Sequence, residues 1–138
     1  MTRTQLGRLA IAAAVVLAPS TFGGTALASG GAVEHPETVM VTLHAKPGSE
    51  AELAAVIARH WDTARRLDLV LDAPHLTVRG VESDAKTYFV EIFTWRDPSV
   101  PDNAPADIQK IWAEMNRLVE PRNGQPGLEF SEVAVVGK

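Results

Sequence analysis

The sequence predicts an α+β domain of order βαββαβ, a four-stranded antiparallel sheet with both helices on one face. Three observations predict it. Four short runs alternate apolar and polar residues with a period of two, two longer runs place apolar residues at steps of three and four, and Gly, Pro or Asp punctuates every junction. All of this lies in residues 38–138.

The first strand is carried by Val39, Val41, Leu43 and Ala45, interleaved with Met40, Thr42 and His44, and it ends at Lys46-Pro47-Gly48. Ser49 with Glu52 three residues on is a capping-box pattern. Leu53, Val56, Ile57, His60, Trp61, Ala64 and Leu67 follow at helical spacing. Asp68 to Pro74 reads as a loop whose Leu69, Val70 and Leu71 are apolar enough to cap the end of the core. His75 to Val81 and Thr87 to Trp95 are alternating β-branched and aromatic runs joined by Glu82-Ser83-Asp84-Ala85-Lys86, the spacing of a hairpin. Arg96 to Pro105 carries three prolines and is longer than most connections, a length associated with function. Pro105 suits the first turn of a second helix with a stripe of Ile108, Ile111, Trp112, Met115, Leu118 and Val119, ended by Pro121 and Gly124. Leu128 to Val136 completes the strands.

Ahead of the domain, Arg3 and Arg8, the apolar run Leu9 to Ala18 and the small-residue site Ala26-Leu27-Ala28 form a secretory signal over residues 1–28, with cleavage expected after Ala28. Pro19 ends the apolar run after about ten residues, where a membrane span needs roughly 20. The mature protein is therefore expected to be secreted or periplasmic and free of the membrane. Residues 29–37 lack apolar periodicity and read as a disordered leader. There is no cysteine, so no disulfide framework supports an exported fold of this size. Without Arg3 and Arg8, 11 basic residues stand against 17 acidic ones, a formal charge of −6 that argues against nucleic acid as a partner.

In a sheet with both helices on one face, the third strand directs Phe89, Phe93 and Trp95 to one side and Tyr88, Val90 and Ile92 to the other. The second set forms an apolar patch that meets water in an isolated domain, and a sheet-to-sheet homodimer is the simplest way to bury it.

The run Val39 to Glu50, with its Lys46-Pro47-Gly48, and the run Phe89-Val90-Glu91-Ile92-Phe93-Thr94-Trp95 resemble the antibiotic biosynthesis monooxygenase-like proteins. These form a branch of the dimeric α+β barrel superfamily built on the ferredoxin-like fold, and the resemblance covers about residues 38–136. It implies a homodimer with a pocket in each protomer between sheet and helices. In that pocket some members oxidise aromatic or quinol-like substrates with dioxygen and neither metal nor flavin. It also implies that Phe89, Glu91, Phe93 and Trp95 point towards the pocket. Haem degradation is disfavoured, because Thr42 and His44 stand where that branch has an Asn, and the segment from Pro101 to Pro121 contains no His.

Phe89, Phe93, Trp95 and Trp112 are candidate substrate contacts, though large aromatics on apolar faces are most often core. Glu91 lies between two Phe positions, so once buried it needs a partner, for which Arg79 on the neighbouring strand is a candidate. Glu91 is also a candidate base. His60 and His44 are the other acid–base candidates, since imidazole titrates near neutrality. Asn116, one turn past Trp112, is a candidate ligand contact through its carboxamide. His44, His60 and His75 show no metal-ligand spacing, and no metal or cofactor is expected. No Gly-x-Ser-x-Gly elbow occurs. The reading is an exported monooxygenase-like protein acting on a small aromatic or quinol-type molecule. The alternative is a non-catalytic binding or interaction protein on the same dimeric scaffold.

Overall fold

The computed structural model describes residues 35–137. The expected signal segment, its cleavage site and the leader up to residue 34 lie outside the described residues. The chain runs through β1 (Glu37–His44), α1 (Glu50–Arg66), β2 (Val70–Val81), β3 (Thr87–Trp95), α2 (Ala106–Leu118) and β4 (Leu128–Glu132). The sheet has the order β2-β3-β1-β4 with every neighbouring pair antiparallel, which is the ferredoxin-like arrangement the alternation predicts. No helix among the described residues is long and apolar enough to cross a membrane.

Register decides which side chains share a face. Val39, Val41 and Leu43 on β1 sit opposite Phe93, Glu91 and Phe89 on β3, which sit in turn opposite His75, Thr77 and Arg79 on β2. This inner face meets the helices. Leu43 and Phe89 pack with Leu53, Val56, Ile57, Ile111, Met115 and Leu118 at one end of the layer, and Val39, Phe93 and Trp95 pack with Ala64, Ala104 and Ile108 at the other. Full burial of a side chain such as Phe93 contributes about 2–3 kcal/mol relative to exposure. The outer face carries Met40, Val90 and Ile92, half-buried, together with Leu76 and Val78, exposed.

Three local expectations change. The capping box does not form, since Ser49 makes no side-chain cap bond. Instead Gly48, at φ +88°, turns the chain so that the Ser49 N–H reaches the Lys46 carbonyl, while Glu50 and Glu52 complement the positive end of the helix dipole. The second strand begins at Val70 rather than His75, because Val70 is buried and pairs with Trp95. A register shift between Val70 and His75 absorbs Pro74, whose missing N–H hides the strand from an alternation argument. The last strand stops at Glu132 rather than Val136. The Val133 N–H makes the final bond, to Thr38, and beyond it β1 has ended at Glu37 next to Pro36.

The segment after α2 is held by Arg122, which is nearly fully buried. Asn123 and Gly124 both take positive φ, as a type I′ turn requires, and Arg122 and Gln125 close it with reciprocal backbone bonds. From there the guanidinium donates to the carbonyls of Ala45 (2.6 Å) and Thr87 (3.2 Å) and to Glu82 (2.5 Å) and Glu120 (3.0 Å). It thereby ties the ends of β1 and β3 to the connection between α2 and β4. Burial disfavours its charge, but the two carboxylates outweigh that and hold its pKa above the ordinary value. A raised cationic pKa contributes stability that is complete throughout the physiological range and is lost only in strong alkali. Arg122→Met, which leaves two carboxylates and two carbonyls without their donor, is expected to cost about 3–5 kcal/mol in urea unfolding. A loss below about 1 kcal/mol, the worth of an exposed pair, would show that Arg122 does not hold these strand ends together.

Candidate functional site

Between the inner face of the sheet and the two helices lies a cavity of about 280 Å³, near the lower end of the range for small-ligand sites. Val39, Val41, Phe93, Trp95, Trp112, Met115, Leu128 and Phe130 supply an apolar lining. Glu37, His60, Glu91, Asp102 and Asn116 add polar groups. Phe130 lines the cavity yet is 68 % exposed, which places the mouth along β4, where the sheet extends past its helical cover. Trp95 and Trp112 wall the space without filling it.

Each wall has a local origin. Alternation on β3 sends Glu91, Phe93 and Trp95 to the same side, with Phe93 and Trp95 edge to face at 4.8 Å between centroids. Helical spacing puts His60 on the buried stripe of α1, where its ring meets the edges of Phe93 and Trp95. On α2, Trp112 and Met115 face the sheet one turn apart, and Asn116 reaches the rim. Within the connection Arg96 to Pro105, a 3-10 turn at Val100–Asp102 brings Pro101 and Asp102 to the cavity. The Ser99 backbone and hydroxyl groups bond the Asp97 carboxyl and hold it below the ordinary aspartate range. That support of the turn is present above the ordinary aspartate pKa and is lost as pH falls through the lowered value. Asn103 and Gln109 add side-chain bonds to the carbonyls of Ser99 and Ala104, so this connection is a fastened wall.

The polar centre is Glu91, 1 % exposed in the middle of β3. Two imidazoles approach it from different elements. His60 Nδ1 lies 3.6 Å from Glu91 Oε2, and His75 Nε2 lies 3.4 Å from Glu91 Oε1. The Trp112 indole N–H, which can only donate, is 3.1 Å from His60 Nε2. That nitrogen must therefore accept, which puts the His60 proton on Nδ1, facing the Glu91 carboxyl. Glu91 Oε1 and His60 Nδ1 are buried with no hydrogen bond at normal distance, so the centre is held close but not closed.

The candidates from the sequence divide. His60, Glu91, Phe93, Trp95, Trp112 and Asn116 come together around the cavity. Phe89 points inwards too but is absorbed into the core with Leu53 and Met115, because the helices close down at that end of the sheet. Arg79 is not the partner of Glu91. It sits opposite Phe89, two residues along β2 from the position facing Glu91, and donates to the Thr87 hydroxyl. His44 lies on the outer face between Glu82 and Glu129, at 3.2 and 3.3 Å, so the sheet itself separates it from the cavity. His75, Met115 and Phe130 were not in the predicted site. Met115 was readable as helical stripe alone, while His75 and Phe130 enter through cross-strand register. Among the described residues, no group of three or more His, Asp or Glu is arranged to hold a metal ion.

This is a ferredoxin-like α+β domain with the fold of the antibiotic biosynthesis monooxygenase-like proteins, carrying an apolar cavity with a buried Glu–His centre. Among solved structures, a variant of SnoaB, a cofactor-independent oxygenase from Streptomyces nogalater, is similar at a TM-score of 0.55 and 17 % identity. That match covers 75 % of this chain and 95 % of SnoaB. Rv0793 from Mycobacterium tuberculosis is similar at 0.53 and 13 % identity, over 75 % of this chain and 98 % of that one. An antibiotic biosynthesis monooxygenase is similar at 0.54 and 16 % identity, over 73 % and 99 %. No family model matches the sequence, and no curated protein matches it.

The tautomer of His60 gives a direct check on the centre. Nitrogen-15 NMR of the wild type is expected to show His60 protonated at Nδ1 only, and Trp112→Phe, which removes the donor, is expected to give a mixture of tautomers. A wild-type ring protonated at Nε2 would refute the Trp112 to His60 bond.

Proposed function

We propose that this is an exported, monooxygenase-like protein that binds a small, uncharged aromatic or quinol-type molecule in its cavity and oxidises it with dioxygen, the substrate supplying the electrons. The observation that carries the reading is Glu91. A carboxyl in an apolar cavity wall, with Oε1 sealed against His75 and Oε2 beside the neutral His60 imidazole, is placed to take a proton from a bound phenol through Oε2. The acidic lining residues Glu37, Glu91 and Asp102, with no Lys or Arg beside them in the lining among the described residues, disfavour an anionic ligand.

The chemistry balances without a further reductant. A phenol with a free ring C–H reacts as HO–Ar–H + O₂ → O=Ar=O + H₂O. One oxygen atom enters the ring, the other leaves as water, and all four electrons come from the ring. The protein's part is to remove the phenolic proton, stack the ring against Phe93, Trp95 and Trp112, and keep bulk water from the electron-rich anion. The same cavity also suits a binding protein without chemistry. Turnover separates the two.

With 1-naphthol as probe, the reading predicts one dioxygen consumed per 1,4-naphthoquinone formed. Glu91→Gln is expected to keep binding and to lose turnover by roughly 10²–10⁴-fold. Binding to the wild type without oxygen uptake would leave the binding-protein alternative. Neither binding nor uptake would remove the cavity reading for this class of ligand.

We also propose that the outer sheet face pairs with a second copy of the chain. Met40, Leu76, Val78, Val90 and Ile92 make that face apolar, with Leu76 53 % exposed in the protomer. Light scattering is expected to give a dimer for the wild type and a monomer for Leu76→Glu, and a wild-type monomer would end this proposal.

A further inference from the structure

We propose that His75 is a second proton station, which takes the proton held by Glu91 and exchanges it with solvent. The inference rests on the oxidation proposed above and adds to it a residue and a route.

The need follows from counting protons. Turning HO–Ar–H into O=Ar=O removes two protons from the ring, and both reappear in the water formed. Glu91 accepts one. His60 is a poor second acceptor, since its Nδ1 already carries a proton and its Nε2 is engaged by the Trp112 indole. His75 remains. Its Nε2 lies 3.4 Å from Glu91 Oε1, the oxygen without a hydrogen bond, and its side chain is 27 % exposed against 1 % for Glu91. It therefore touches the buried carboxyl on one side and water on the other.

The ring is also held for the task. His75 stacks on Trp61 with 3.6 Å between centroids and planes within 2°, so it keeps its place on β2 beside Phe93. Among the described residues the groups around it are few. Thr77 offers a hydroxyl 3.5 Å from the same Nε2, the Arg65 guanidinium lies 5.9 Å from the Trp61 ring, and Asp72 bonds Arg65 at 3.1 Å. Across the sheet the facing acid is Glu91. In the proposed step the substrate hydroxyl loses its proton to Glu91 Oε2, a turn of the protonated carboxyl brings that proton to His75 Nε2, and the freed carboxylate takes the ring C–H proton. Both protons return when the oxygen–oxygen bond breaks and water forms, so no net charge accumulates. The 3.4 Å separation closes by a few tenths of an ångström for transfer, as acid–base contacts do once ligand is bound.

The test is His75→Phe, which keeps a flat ring on Trp61 and removes the nitrogen. With 1-naphthol, kcat is expected to fall at least about tenfold with KM unchanged, less than the roughly 10²–10⁴-fold of a group in direct contact with substrate. Added imidazole is expected to restore part of it. A merely structural role for His75 predicts no such rescue. Unchanged kcat, or a fall that imidazole does not relieve, overturns the proposal. Should the wild type not oxidise 1-naphthol, the oxidation reading fails by itself and the proton route is read without substrate. Solvent exchange of the His60 Nδ1 proton, which faces Glu91, is then expected to slow at least about tenfold in His75→Phe. An unchanged exchange rate overturns the route.

Discussion

A carboxyl in the middle of an apolar sheet face needs partners, and the groups that approach Glu91 without closing a normal hydrogen bond to it organise this molecule. Burying a polar group without a partner costs about 1–3 kcal/mol, more when it is charged. Among the described residues no arginine or lysine answers it. Two imidazoles do, one brought by the buried stripe of α1 and the other by the register of β2. Each has its own support, an indole N–H on α2 for His60 and a stacked indole on α1 for His75. The three tryptophans are therefore more than core. Trp112 sets a tautomer, Trp61 sets a ring position, and Trp95 walls the cavity.

The cavity exists because the helices do not cover the sheet evenly. At one end Leu43, Phe89, Met115 and Leu118 close into continuous core, and the buried guanidinium of Arg122 clamps the chain ends behind them. Towards β4 the sheet runs on past the helices, and Phe130 is left as a rim. Rigidity at the clamped end and space at the other are two results of one packing arrangement. Arg122 gave no sign of this role in the sequence, where it reads as one more charge between Pro121 and Gly124.

The three solved structures compared above share the fold at 13–17 % identity, a level at which layer architecture persists while site residues change freely. The Glu–His centre is accordingly an argument from this chain's own geometry. It joins acid–base groups to an apolar, aromatic-walled space, the combination that proton abstraction from a phenol requires.

Periodicity by itself determined the elements, because period two and period 3.6 are properties of neighbouring residues. It also sorted Glu91, Phe93 and Trp95 to one face of β3 and His60 to the buried stripe of α1, so most of the cavity wall was legible. It misjudged the start of β2, where Pro74 breaks the pattern, and the end of β4, where only the length of β1 sets the limit. It took His44 with His60 as acid–base candidates, left out His75, and offered Arg79 rather than a histidine as the partner of Glu91, where the structure brings His60 and His75 together. Those choices belong to tertiary structure for one reason. Shifting a strand by one residue exchanges the faces of its side chains, and shifting it by two moves a different side chain opposite Glu91, and only packing of the whole sheet against both helices selects the register.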